Sequence, residues 1–227
     1  MSTEVGILGN DYVLDNPPRA VIFDLDGVLV DSFDVMRRAF TVAYKEVVGD
    51  GPAPFAEYNQ YLGRYFPDIM REMGLPGEME EPFVRESYRL EHEVKMFTGV
   101  RELLSTLHQR GLRMAVATGK SGNRARSLLG HLGVIEYFVQ VIGSDEIDNP
   151  KPHPDIVFRA LEVLGVRADE ALMIGDAVTD LTSARGASVT AVAALWGETD
   201  ESLLLAARPD LILRRPEELL GFCPTLR

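Results

Sequence analysis

A chain of 227 residues with a formal net charge of −12 lacks the basic surface with which proteins bind nucleic acid, so nucleic acid is not an expected partner. Its 46% hydrophobic and 26% charged residues are typical of a folded globular protein and exclude the composition of a disordered chain. Because an acidic surface repels anions, a phosphate-handling site would need local positive charge from a metal ion, Lys, Arg or backbone N–H groups.

The N-terminus and the cysteine content favour a cytoplasmic protein. Met1 to Asn16 has neither the basic region nor the apolar run of a secretory signal, and no stretch reaches the roughly 18 apolar residues needed to cross a bilayer. The single cysteine, Cys223, has no partner for a disulfide within the chain, which fits a reducing compartment. We therefore expect a cytoplasmic protein without a membrane partner, either a monomer or a weak homodimer.

Short apolar runs alternate with helical periods along most of the chain. The predicted strands are residues 20–23, 114–117, 138–142, 171–174 and 189–193. Most of them are apolar on both faces, as are strands of a parallel sheet that is covered by helices. Two intervening helical periods stop before Gly111 and Gly165, since glycine commonly ends a helix. The pattern predicts an α/β fold with a doubly wound, Rossmann-like parallel sheet, whose ligands bind beyond the carboxyl ends of the strands.

The alternation is interrupted by a helical segment after the first strand. No strand is expected between Phe33 and Thr98, and an apolar stripe from Val35 to Val47 predicts the first helix there. Glycines and prolines divide the whole segment, including that first helix, into about four short helices. We predict an N-terminal extension (residues 1–18), an α/β core (residues 19–32 and 99–227) and a helical insertion, here called the cap segment (residues 33–98).

Distinctive polar residues follow the predicted strands or precede a helix at the same edge of the sheet. Each alone has an ordinary structural interpretation, such as a turn, a helix cap or a solvated lysine. Together they supply a carboxylate nucleophile, an acid/base, a cation site and hydrogen-bond donors, which phosphoryl transfer requires. Asp24 and Asp176 suit Mg²⁺, which prefers oxygen ligands. The residues are Asp24, Asp26, Thr118, Lys151, Asp176 and Asp180.

The sequence resembles the haloacid dehalogenase superfamily, in particular its phosphoglycolate phosphatase-like and β-phosphoglucomutase-like branch with a helical cap. The resemblance covers most of residues 21–220. It rests on four motifs in order, which are Phe23-Asp24-Leu25-Asp26-Gly27-Val28-Leu29-Val30-Asp31-Ser32, Ala117-Thr118-Gly119-Lys120, Lys151-Pro152-His153-Pro154 and Ile174-Gly175-Asp176-Ala177-Val178-Thr179-Asp180.

The resemblance implies a role for each of these residues. Asp24 would attack phosphorus and form an aspartyl-phosphate, and Asp26 would protonate the leaving oxygen and then activate water. Thr118 would hydrogen-bond the phosphoryl group, and Lys151 would balance the charge of nucleophile and phosphate. Mg²⁺ would be held by Asp24, the backbone carbonyl of Asp26 and Asp176, with Asp180 helping from nearby. Such catalysis is mainly electrostatic.

The cap segment resembles the mobile cap of the family, which closes over the site and excludes bulk water. Tyr61-Leu62-Gly63-Arg64 stands where related caps carry a specificity loop, so Arg64 is a candidate substrate contact. Gly119, Lys120 and Asn123 are further candidates on the core side. Gly119 stands where many relatives have serine or asparagine.

The predicted function is Mg²⁺-dependent hydrolysis of a small phosphorylated metabolite, such as a sugar phosphate, a phosphoglycolate-like acid or a biosynthetic intermediate. A phosphomutase of the β-phosphoglucomutase type would use the same residues and stays open. A non-catalytic binding module is also possible, since fold alone does not assign function. A dehalogenase is disfavoured because Asp26 would have no use in halide displacement. A phosphonatase is disfavoured because neither Lys45 nor Lys95 has a recognisable Schiff-base context.

Overall fold

The structure is a computed structural model that describes residues 16–197 and 199–226, so most of the predicted N-terminal extension lies outside the described residues. Numbered in chain order, the described strands are β1 (Ala20–Phe23), β2 (Val30–Asp31), β3 (Lys95–Met96), β4 (Arg113–Thr118), β5 (Gln140–Gly143), β6 (Ala171–Gly175), β7 (Thr190–Ala194) and β8 (Leu211–Leu213). The described α-helices are α1 (Phe33–Val47), α2 (Phe55–Tyr58), α3 (Phe66–Glu72), α4 (Glu80–Arg89), α5 (Val100–Gln109), α6 (Gly122–His131), α7 (Asp155–Leu164), α8 (Val178–Gly186) and α9 (Glu201–Ala206).

Six strands form one parallel sheet in the order β5-β4-β1-β6-β7-β8. β1 lies at its centre, where Phe23 is opposite Val116 of β4 and Ile174 of β6. All five predicted strands are present, and the predicted doubly wound parallel fold is confirmed. The edge strand β8 was not predicted, because three residues are too few to show a period.

Helices cover both faces of this sheet because its strands are apolar on both faces. Val21 and Phe23 pack with the cluster that includes buried residues of α5 and α6, whereas Ala20 and Ile22 pack with buried residues of α7 and α8. Successive strand residues point to opposite faces, so one four-residue strand contributes to both halves of the core. Gly165 ends α7 with a positive φ of 60°, as its position after the helical period predicted.

The cap segment contains four α-helices, α1 to α4, as predicted. It has an apolar cluster of its own, in which the rings of Phe66 and Phe83 stack with centroids 4.1 Å apart. The expectation of no strand in this segment was wrong: β3 pairs antiparallel with β2. This ladder of two residues per strand joins the two ends of the insertion, and it is too short for alternation to reveal it.

No described helix is long and apolar enough to cross a membrane.

Candidate active site

Four of the polar residues predicted to meet at the sheet edge line one cleft, namely Asp24, Asp26, Thr118 and Asp176. The other two, Lys151 and Asp180, are buried beside it, where Lys151 contacts both Asp24 and Asp180. Asp24 follows β1 directly, and its backbone N–H continues the sheet by donating to the carbonyl of Ile174 at 2.9 Å. Thr118 ends the neighbouring strand β4, and Asp176 follows β6 on the other side. Because parallel strands present their carboxyl ends at one edge, three separate sequence motifs converge there.

Lys151 is fully buried and binds three acceptors. Its Nζ lies 3.0 Å from Asp24 Oδ1, 2.6 Å from Asp180 Oδ1 and 3.0 Å from the carbonyl oxygen of Ala117. An ammonium group has three donors, so these contacts satisfy it completely. Both carboxylates raise the pKa of Lys151 against the opposing effect of burial, and the lysine is therefore charged.

Asp24 is a buried carboxylate with a perturbed pKa. Burial and the neighbouring Asp180 carboxylate raise the pKa of Asp24 to about 7, although Lys151 acts in the opposite direction. A second cation beside Asp24 would therefore favour its ionised form, which is the nucleophilic one.

Two glycines leave the space that the Asp176 carboxylate occupies. A Cβ on Gly27, whose φ is +80°, would lie 2.0 Å from Asp176 Oδ2, and a Cβ on Gly197 would lie 2.4 Å from the same atom. At Gly27 only glycine combines the positive φ with such a close approach. The loop that follows Asp26 therefore leaves room for the Asp176 carboxylate.

The residues present fit a divalent cation. Asp24, Asp176 and Asp180 each bring a carboxylate oxygen within 4.8 Å of the other two, and all three are buried. Lys151 contacts two of these carboxylates, those of Asp24 and Asp180. Both oxygens of Asp180 bind protein groups, since Oδ1 accepts from Lys151 and Oδ2 accepts from the Ala177 N–H. Asp180 is accordingly less suited to hold Mg²⁺ directly.

Asp26 faces the same cleft with different partners. Ser32 Oγ donates to its Oδ1 at 2.5 Å, and Lys120 Nζ lies 3.1 Å from that oxygen. Lys120 and Ser32 together lower the pKa of Asp26, overcoming the effect of burial. In this arrangement Asp26 is an ionised carboxylate, ready to accept a proton. The pKa values of two aspartates separated by one residue are therefore shifted in opposite directions because their neighbours differ.

The cleft has a volume of about 720 Å³ including its open mouth. Thr118 lines it beside the carboxylates, and its Oγ1 accepts a hydrogen bond from the Lys120 N–H at 3.1 Å. The remaining wall is largely aromatic and aliphatic, and the cap segment contributes most of it. These apolar lining residues are Phe33, Met36, Tyr58, Tyr61, Leu62, Phe66, Ile69, Phe83 and Phe97.

The loop around Gly63 brings the cap segment into contact with the core. A Cβ on Gly119 would lie 2.5 Å from the Gly63 carbonyl oxygen and 2.8 Å from that of Arg64. On the other side, Thr179 Oγ1 donates to the carbonyl oxygen of Leu62 at 3.2 Å. The candidate Arg64 lines the cleft, where its guanidinium lies 3.3 Å from Glu72.

Of the other core-side candidates, Gly119 and Lys120 line the cleft, but Asn123 does not. Asn123 is exposed on α6, and its Oδ1 accepts a hydrogen bond from Arg126. The next residue, Arg124, is buried and lines the cleft instead. Sequence reasoning missed Arg124, although its spacing of four from the buried Leu128 puts the two residues on one helix face.

Comparison with known proteins identifies the family. The model of one protein family, described as "Haloacid dehalogenase-like hydrolase", matches residues 21–194. The chain belongs to this family. The match includes all six predicted site residues from Asp24 to Asp180, so the predicted superfamily is confirmed.

Relatives in this family include named phosphatases and solved hydrolases. A Dickeya dadantii protein named "Probable phosphatase IndB" is 34% identical over 213 residues, covering 88% of this chain and 91% of the relative. A Pseudomonas fluorescens phosphoglycolate phosphatase is 28% identical over 219 residues, covering 91% and 80%. A hydrolase structure from Pseudomonas syringae has a TM-score of 0.79 at 28% identity, covering 89% of this chain and 96% of that one. These matches confirm the predicted enzyme class, a phosphatase of the haloacid dehalogenase type.

Proposed function

We propose that the chain hydrolyses a small phosphomonoester with the help of Mg²⁺, through an aspartyl-phosphate on Asp24. The observation that carries this proposal is the buried cluster of Asp24, Lys151 and Asp180 at the edge of a cleft that also contains Asp26. A nucleophile held by a charged lysine and an acid/base two residues away are the two groups that such a reaction needs.

In the first step a carboxylate oxygen of Asp24 attacks phosphorus, and the bond between phosphorus and the leaving oxygen breaks. Asp26 donates its proton to that oxygen. In the second step Asp26 takes a proton from water, the water oxygen attacks phosphorus, and inorganic phosphate leaves with Asp24 restored. The low pKa of Asp26 beside Lys120 suits the second step, so Asp26 must take up a proton before the first.

Lys151 supports this chemistry through charge. It holds the Asp24 side chain and offsets the negative charge that accumulates when a phosphoryl group arrives. Asp24, Asp176 and the backbone carbonyl of Asp26 would hold Mg²⁺, which would supply further positive charge to the site, and Asp180 would support Asp24 through Lys151. Thr118 would hydrogen-bond a phosphoryl oxygen from the other side of the cleft.

The proposal includes a cap segment, residues 33–98, that covers the site. Its support is that residues of this segment line most of the apolar wall of the cleft. The apolar wall from α1, α3 and α4 would exclude bulk water, so that the phosphorylated Asp24 meets a selected water molecule. Lys45 and Lys95 are exposed and lie outside the cleft, which disfavours phosphonatase chemistry.

The test is release of inorganic phosphate from a panel of phosphorylated metabolites, with Mg²⁺ and with a chelator. We expect release that depends on Mg²⁺ and returns when Mg²⁺ is restored after chelation. Interconversion of sugar-phosphate isomers without phosphate release would show a phosphomutase instead. A folded protein that turns over no member of the panel and binds none would favour a module without catalytic activity.

A further inference from the structure

Arg124 is a buried cation at the interface between core and cap segment. It lies in the first turn of α6, is only 8% exposed, and lines the cleft that contains Asp24 and Asp26. Its guanidinium lies over the ring of Phe83 from α4, 5.0 Å from the ring centroid. A charged side chain from the core thus meets an aromatic wall from the cap segment.

Within residues 16–197 and 199–226, Arg124 forms no hydrogen bond and no ion pair. The other cations that line the cleft do have carboxylate partners, since Lys120 pairs with Asp26 and Arg64 pairs with Glu72. Arg126, which is two residues further along and partly exposed, binds Glu146 at 3.0 Å. A buried guanidinium with five donors and no acceptor is costly unless a ligand supplies the acceptor.

Tyr58 supplies a second polar group in the same region of the cleft. Tyr58 is 6% exposed, lines the cleft and packs against Phe66 and Phe83. In the described part of the chain its hydroxyl has no hydrogen-bond partner. Because burial raises the pKa of Tyr58, the phenol remains neutral and can donate a hydrogen bond.

These two groups are separate from those that handle the phosphoryl group. Asp24 follows β1, Asp176 follows β6 and Lys151 lies in the loop before α7, whereas Arg124 and Tyr58 belong to α6 and α2. Apolar side chains of the cap segment line the same cleft. The cleft therefore offers both polar groups and an apolar wall to a substrate.

We propose that Arg124, assisted by the Tyr58 hydroxyl, binds a second anionic group on the leaving-group side of the substrate, either a carboxylate or another phosphate. This proposal rests on the proposed phosphomonoesterase activity and narrows its substrate class. The substrate then has a phosphoryl group at Asp24, an apolar body along the aromatic wall, and an anion that forms a charge-assisted hydrogen bond with the guanidinium.

The test compares phenyl phosphate with 4-carboxyphenyl phosphate and 1,4-phenylene bisphosphate, which share an apolar body. The wild-type kcat/KM is expected to be higher for the two anion-bearing compounds, and the better of these identifies the preferred anion. Arg124→Gln should lower their kcat/KM by about 10- to 100-fold, mainly through KM, and change that of phenyl phosphate less than about threefold. Arg124→Lys should recover part of the loss because it restores the charge.

Arg126→Gln is the matched control, since Arg126 belongs to the same helix but does not line the cleft. It should leave all three substrates unchanged. An equal loss for all three compounds in Arg124→Gln would overturn the proposal, because the effect of Arg124 would then not depend on a second anion in the substrate. The same conclusion follows if the wild-type protein shows no preference for the anion-bearing compounds.

Calorimetric titration of the same compounds separates this proposal from the proposed function. It is carried out on Asp24→Asn, with and without Arg124→Gln, and requires no turnover. Tighter binding of the anion-bearing compounds that disappears with Arg124→Gln supports the subsite even if the wild-type protein releases no phosphate. Binding that does not depend on Arg124 overturns it, whatever the activity.

Discussion

At the scale of single residues, neighbouring charges decide the behaviour of each carboxylate. Asp24 and Asp26 are separated by one residue, yet burial and Asp180 raise the pKa of the first while Lys120 and Ser32 lower that of the second. The sequence predicted two roles for these aspartates through family resemblance. The physical difference between them depends on partners that lie far apart in the chain, which no local pattern reveals.

Lys151→Met should destabilise the protein as well as remove activity. It leaves the buried Asp24 and Asp180 carboxylates without their common partner, so we expect the free energy of unfolding to fall by about 3–5 kcal/mol in urea titrations. Lys45→Met, at an exposed position of α1, should change it by about 0.5 kcal/mol or less. A loss below about 1 kcal/mol in Lys151→Met would show that this ion pair does not stabilise the fold.

Adding Asp180→Leu to Lys151→Met should recover part of that stability, because it removes one of the uncompensated charges. The two substitutions are in direct contact, so their effects should be less than additive. Phosphatase activity should stay absent in the double variant. Additive losses of stability would contradict the direct coupling.

At the scale of elements, the loop at Gly63 connects the cap segment to the core through very close contacts. Gly119→Ala would bring a Cβ within 2.5 Å of the Gly63 carbonyl oxygen, so the loop would have to move away. We expect kcat/KM for phosphate release to fall by about 10- to 100-fold, because the wall of the cleft would be displaced.

Gly130→Ala is the control for that substitution. Gly130 lies in α6, and a Cβ there would meet nothing within 4 Å. It should leave the kinetics unchanged and raise the free energy of unfolding by up to about 1 kcal/mol, since alanine favours helix. Unchanged kcat/KM in a folded Gly119→Ala protein would mean that this contact does not shape the cleft.

The accuracy of sequence-based prediction differed between elements for physical reasons. The central strands were predicted because residues such as Val21 and Ile22 are apolar on successive positions and must be buried on both faces. The β2–β3 ladder and β8 were not, since elements of two or three residues depend on tertiary pairing. Arg124 was missed because an arginine on a helix is usually exposed, and its burial results from packing against the cap segment.

At the scale of the whole molecule, the C-terminal segment, residues 216–226, packs against the core and buries the single cysteine. Cys223 is fully buried, and Arg110 donates to the carbonyl oxygens of Leu220 and Cys223 at 2.7 and 2.5 Å. Burial raises the pKa of the Cys223 thiol to about 12. The thiol is therefore almost entirely protonated at neutral pH and shielded from reagents.

Labelling of Cys223 with a thiol reagent at pH 8 should consequently report opening of the fold. The raised pKa alone reduces the thiolate fraction about a thousandfold relative to an exposed cysteine, so labelling should be slow in buffer and fast in denaturant. Arg110→Gln should accelerate it by loosening the C-terminal segment. Rapid labelling of the native protein would contradict the packing of this segment against the core.

The proposed function depends above all on Asp24, which is proposed to accept the phosphoryl group. The most direct test is phosphate release by Asp24→Asn in the presence of Mg²⁺, on the best substrate of the wild-type protein. Asp50→Asn, at an exposed position after α1, is the matched control. We predict that kcat falls by about 10⁴-fold or more in Asp24→Asn and is unchanged in Asp50→Asn, while both proteins remain folded. Phosphate release by Asp24→Asn within about tenfold of the wild-type rate would contradict the account.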